Sequence, residues 1–187
     1  MNKKALPFIT ILIIVVAFLV GLKITAAKYQ GNGSLPTISS TPTPNGPTPT
    51  EAPKYPITLG NFLVTDREIC KENGKPTIYY FGSSSCPHCQ WESPVIKKVM
   101  EKFTGVVSFH NNMDSDKDQD VFTKYSDINP GYIPFVVAGC KYVRVGSGET
   151  EGEVKEIENL SAIICKLADN KPASVCNPLK TKISEIK

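Results

Sequence analysis

The chain has 187 residues, enough for one to one and a half domains. Its formal charge of +3 comes from 21 basic and 18 acidic side chains. The excess lies at the start, where residues 1–56 hold five lysines against Glu51 alone, while residues 57–187 hold 16 basic and 17 acidic side chains. A body this close to neutrality excludes nucleic acid as a partner, because phosphate neutralisation needs a basic face.

Residues 5–22 form an 18-residue stretch without a charge, flanked by Lys3, Lys4 and Lys23. As a helix it would run about 27 Å, close to the thickness of a bilayer's hydrocarbon core. It is longer than the usual apolar region of a cleaved signal peptide, although Thr25-Ala26-Ala27 offers a cleavage site. Residues 1–27 therefore read as a signal-anchor, a single-pass transmembrane helix, with the cleaved signal as alternative. Both place the rest of the chain outside the cytoplasm, and the six cysteines agree with an oxidising compartment. Residues 28–56, rich in Pro, Thr and Ser with few large apolar side chains, read as a disordered linker. Such a coil would hold the body some 30 Å off the membrane.

From Ile57 the composition turns globular. The pattern predicts a first strand over 57–64, then a short helix over 65–71 capped by Thr65-Asp66 with Glu68 as capping-box acid. The apolar run at 77–81 (TIYYF) predicts a strand buried on both faces. Over 87–103 the spacing of Val95, Ile96, Val99, Met100 and Phe103 predicts an amphipathic helix. A strand over 106–110, an acidic solvated loop over 114–120, a helix over 121–128, a hairpin over 135–137 and 142–145, and a helix over 152–167 complete the order βαβαβαββα. That order implies an α/β domain, a mixed central sheet flanked by helices on both faces.

Chemistry concentrates at Cys86-Pro87-His88-Cys89, where the 77–81 strand leads through a loop into the helix. Cys86 falls at the helix N-cap, where unpaired N–H groups and the dipole favour an anion and lower a thiol's pKa. Cys89 lies one turn inward, placed to close a disulfide and to resolve a mixed one. His88 supplies a donor or positive charge to the Cys86 thiolate. A stabilised thiolate means a stabilised reduced form, hence an oxidising disulfide. A zinc site would need four ligands, and there is no second Cys-x-x-Cys. No metal or other cofactor is implied. Trp91 reads as packing and His110 as structural. Cys165 and Cys176, close in sequence across a turn, read as a local structural disulfide.

With Pro94 in the helix and Ile133-Pro134 opening the strand after the acidic loop, residues 57–167 resemble the thioredoxin superfamily, and Cys-Pro-His-Cys resembles the site of DsbA-type disulfide oxidases. The resemblance implies a thioredoxin-like fold, in which Pro134 is a cis-proline against the redox-active disulfide and Ile133 offers its backbone to substrate. It also implies that Cys70 and Cys140 meet at the far end of the sheet, forming a second structural disulfide. Two departures stand out. Only 44 residues separate Cys89 from Pro134, leaving no room for the helical insertion of DsbA-type enzymes. Tyr80 stands where thioredoxins carry a buried acid, and Ser85 where they often carry Trp.

The expectation is a membrane-tethered, extracytoplasmic thiol–disulfide oxidoreductase. Cys86 is nucleophile, Cys89 resolves and His88 tunes. Its partners would be exported cysteine-containing proteins and a membrane redox protein for recycling, and its role oxidation or isomerisation. The alternatives are a reductase of the cytochrome c maturation type and a non-enzymatic binding module on a stalk.

Overall fold

The computed structural model describes residues 54–187. The expected anchor (1–27) and the linker up to residue 53 lie outside the described residues. Lys54, Tyr55 and Pro56, expected as the end of the linker, already contact the body. Lys54 Nζ and the Tyr55 hydroxyl both bond to Asp127 Oδ2, at 2.8 and 2.9 Å, and the Pro56 carbonyl accepts from Val64 N. Among the described residues no helix is long and apolar enough to cross a membrane.

The elements are β1 (Leu63–Val64), β2 (Lys71–Glu72), β3 (Lys75–Gly82), α1 (Pro87–Lys102), β4 (Ser108–Met113), α2 (Gln119–Thr123), β5 (Phe135–Ala138), β6 (Tyr142–Val145), α3 (Glu153–Leu167), α4 (Ala173–Cys176) and α5 (Lys180–Glu185). They build a mixed α/β domain around one sheet. β3 is central: it pairs parallel with β4 on one side and antiparallel with β5 on the other, and β6 and β1 follow β5 outward. A parallel pair needs a crossover, which α1 supplies.

The sheet's alternation divides the core. Ile78 and Tyr80 of β3, with Val136 and Ala138 of β5, face Val95, Ile96 and Val99 of α1 and Leu160, Ile163 and Ile164 of α3. Phe81, Phe135, Val137 and Val143 point the other way, onto Tyr125, Val121 and Phe122 from α2 and the turns after it. Both faces are thus covered, which explains why 77–81 is apolar without alternation.

Tertiary contacts override several local expectations. No helix forms over 65–71. Thr65 N instead donates to Lys141 O and Cys70 N to Gly139 O, so this segment is stretched along the turn of the β5–β6 hairpin. The Thr65 hydroxyl bonds to the Cys140 carbonyl rather than capping a helix. The first strand shrinks to β1, because Leu59–Asn61 forms a 3-10 turn that buries Phe62. β4 starts later and runs further than expected, staying in register with β3 to the pair Gly82–Met113. The helix expected over 121–128 is confined to α2, with turns after it. The tail beyond residue 170 is folded rather than merely tethered: α5 buries Ile183, and Ile186 joins the same core. At the hairpin, Gly139 has φ +58°, and a Cβ there would lie 2.5 Å from Leu167 Cδ2, so both conformation and packing require glycine.

One strongly polar group sits within this core. Arg144 of β6 is on the face covered by α1 and α3, 3 % exposed. Its Nη1 and Nη2 grip Glu156 of α3 at 2.9 and 2.6 Å, and Nη2 also reaches Glu92 of α1 at 2.8 Å. Removing one partner of a buried ion pair strands the other in low dielectric. Arg144→Met, which fills the volume without the charge, should therefore cost about 3–5 kcal/mol. Urea unfolding at pH 7 measures it; a loss below about 1 kcal/mol, the scale of surface pairs, would contradict the account.

Candidate active site

Cys86 is the N-cap of α1, with Pro87 in the first turn, where its missing N–H costs no bond. The Cys86 Sγ accepts the Cys89 N–H at 3.1 Å, so one backbone donor of the helix start points at this sulfur. The two sulfurs are joined as a disulfide. They differ in access: Cys86 is half-buried, whereas Cys89 is fully buried. Pro94, within α1, cannot donate to the turn before it, and the helix continues through it to Lys102.

The loop before Cys86 is held by a residue that sequence reasoning left to solvent. Asp114 Oδ1 accepts from Ser84 N at 2.8 Å and from Ser83 Oγ at 3.0 Å, and Asp114 N donates to Gly82 O. The Ser84 N–H and the Ser84 and Ser83 side chains hold the Asp114 carboxyl below the usual carboxylate range. Asp118 is likewise engaged, accepting from Asn112 Nδ2 at 2.9 Å and facing His110 Nδ1 at 3.1 Å. The acidic loop at 114–120 is therefore a buttress at two of its acids. His110 also meets Glu72 at 3.1 Å and lies against the Tyr79 ring, far from Cys86 in the register of the sheet. Trp91 is half-buried and packs on the main core.

From the other side comes the segment before β5. The Ile133–Pro134 peptide bond is cis, and the Ile133 carbonyl oxygen lies 3.8 Å from Cys86 Sγ. Pro134 is buried, while Ile133 and Tyr132 are exposed. Asn129, missed in the sequence, shapes this approach. It is 1 % exposed; its Oδ1 accepts from Gly131 N and Tyr132 N, and its Nδ2 donates to Tyr132 O. The structure thus brings Cys86, Cys89, His88, Ile133 and Pro134 together. The remaining cysteines form two other bridges, Cys70–Cys140 and Cys165–Cys176. Cys140 follows the end of β5 opposite Pro134, so the first bridge lies at the far edge of the sheet. Cys70 reaches it from the stretched 65–70 segment rather than from a helix.

Beneath Cys89 the site is buried. The Tyr80 hydroxyl donates to the Cys89 carbonyl at 2.9 Å, and burial, with Glu92 nearby, pushes its pKa up, so it stays protonated. Glu92 lies one turn after Cys89 on α1 and is fully buried. Burial pushes its carboxyl up to about 7, against the pull of Arg144 and with the help of the Glu156 charge. Two carboxylates share one guanidinium, so holding a proton on Glu92 relieves their repulsion.

A carboxyl raised from about 4.5 to about 7 on folding favours the folded state below pH 4.5, and that contribution is lost as pH rises through 7. Glu92→Gln should remove this dependence, which is on the order of 3 kcal/mol. Urea midpoints at pH 5 and pH 8 should differ less in the variant than in wild type; equal differences would contradict the assignment.

The cysteines and the His88 ring are the chemically reactive groups of this cluster. Comparison with protein-family models, curated proteins and solved structures finds no match for the chain.

Proposed function

We propose that the chain is a thiol–disulfide oxidoreductase with a thioredoxin-like fold, acting on exported cysteine-containing proteins as an oxidase or isomerase. The observation that carries this reading is the unequal pair at the start of α1, with Cys86 half-exposed and accepting the Cys89 N–H at the helix start, and Cys89 buried behind it. The antiparallel β5 entering at the cis Ile133–Pro134 bond beside Cys86 supports it as well. The uncharged span at 5–22 supports a membrane tether, and the two further disulfides support an extracytoplasmic site.

In the oxidising direction a substrate thiolate attacks Cys86 Sγ. The Cys86–Cys89 bond breaks, its electron pair leaves with Cys89, and a mixed disulfide forms. A second substrate thiolate then attacks its neighbour's sulfur, and Cys86 leaves as a thiolate. The substrate loses two electrons and two protons; the cysteine pair gains the electrons, and protons pass to Cys89 and solvent. Helix N–H groups stabilise the departing Cys86 thiolate, which favours this direction. The Ile133 carbonyl borders the sulfur, and exposed Ile133 and its neighbour Tyr132 offer an apolar, backbone-rich edge to an extended substrate. Recycling requires a membrane redox partner that accepts the two electrons.

Cys89→Ser should accumulate mixed disulfides with client proteins, visible as reducible high-mass species on non-reducing gels. Cys86→Ser should trap none. Equal trapping by both variants would defeat the assignment of roles, and no trapping by either would favour a binding module.

A further inference from the structure

The segment 146–152 between β6 and α3 passes over the start of α1. It is pinned at three points: Gly146 N donates to Pro134 O at 2.8 Å, Gly148 N to Glu92 Oε2 at 3.0 Å, and Asn159 Nδ2 to Glu151 Oε2 at 2.9 Å. Gly148 lies so close to the buried cluster that a Cβ would fall 1.9 Å from Glu156 Oε2. These anchors leave Glu149 little freedom, and its Oε1 sits 2.6 Å from His88 Nδ1. A carboxylate can only accept, so Nδ1 carries the proton of this contact. The one imidazole in Cys-Pro-His-Cys is therefore held by a negative charge from a different part of the chain. Nothing in the motif or its spacing signals that partner, 61 residues away.

We infer that Glu149 is a positioning residue for disulfide exchange, holding His88 and competing with the Cys86 thiolate for the ring's N–H donor, so that it tempers the oxidising strength of the pair. The inference rests on the oxidoreductase reading. A ring free of Glu149 could turn its donor to the Cys86 thiolate, stabilising the reduced form; a ring held by the Glu149 carboxylate gives less. The pair is partly exposed, His88 at 63 % and Glu149 at 32 % of the side chain, so solvent screens it and the effect is modest.

The test equilibrates the full chain with glutathione buffers and measures the fraction oxidised for wild type, Glu149→Gln, Glu149→Asp, His88→Val and His88→Val/Glu149→Gln. Glu149→Gln should shift the equilibrium about threefold to tenfold toward the reduced protein, about 15–30 mV for this two-electron couple. Glu149→Asp, which keeps the charge, should shift it less, and adding Glu149→Gln to His88→Val should change nothing further. A role limited to holding the loop would move the urea midpoint and leave the equilibrium in place. The inference is overturned by an unmoved equilibrium, by a shift toward the oxidised protein, or by an equal shift in the His88→Val background. A wild-type pair that does not exchange with glutathione at all overturns the oxidoreductase reading itself, whereas exchange without the predicted shift overturns the tempering role alone.

Discussion

The arrangement of the site turns on a guanidinium almost wholly withdrawn from solvent. Arg144 joins three elements that are distant in sequence: β6 that carries it, α1 through Glu92 and α3 through Glu156. Taking a guanidinium and its carboxyl partners out of water is expensive, and their attraction repays this only with well-formed hydrogen bonds. The contacts with Glu156 are bidentate, and Glu92 uses its second oxygen to accept from Gly148. An apolar cluster could hold the helices to the sheet equally well, but it could not hold the backbone of 146–152 by a directed bond. The ionic cluster thus fixes the registration of the helix bearing Cys86 against the segment bearing Glu149.

The asymmetry of the two active cysteines follows from where α1 begins. β3 ends at Gly82, the Ser83–Ser85 loop is tied to Asp114, and the helix starts at once. Its first residue is left at the surface among unpaired N–H groups, while a residue one turn inward points into the core. A thiolate is therefore favoured at Cys86 and disfavoured at Cys89, where burial penalises charge. Under the proposed oxidoreductase reading, a pair built this way would have a distinct attacking sulfur and a distinct resolving sulfur. The side facing Cys86 is defined by Asn129, whose bonds to Gly131 and Tyr132 present Ile133 beside the sulfur.

Much of this was legible in the sequence, for identifiable reasons. β3, α1, the β5–β6 hairpin and α3 have strong periodicity or continuous apolar runs, and their bounds shift by only a residue or two. The clustering of Cys86, His88 and Cys89 at a helix start was readable because a short motif follows a buried strand, whereas Ile133-Pro134 came from the family resemblance alone. Residues 65–71 were misread because Thr65 and Glu68 imitate a capping box, whereas the hairpin turn at Gly139 and Lys141 claims their backbone. Asp114 and Glu149 were missed because each makes its contacts across the fold from a loop without periodicity, and Asn129 because its bonds lie within a turn that carries no periodic signal. Arg144 and Glu92 were missed because a charge within an amphipathic pattern ordinarily faces solvent. Cys70 and Cys140 meet at the edge that the family resemblance implied, but along a different local path.

The account makes Cys86–Cys89 a disulfide that gives up its bond readily, because the start of α1 stabilises one of the two thiolates that result. The most direct test is the reduction potential of this pair in the full chain, with the other four cysteines kept bridged. The account predicts a value less reducing than about −270 mV, the potential of thioredoxin. A value at or below that figure would contradict it, and would make the chain a donor of electrons to exported disulfides rather than a source of them.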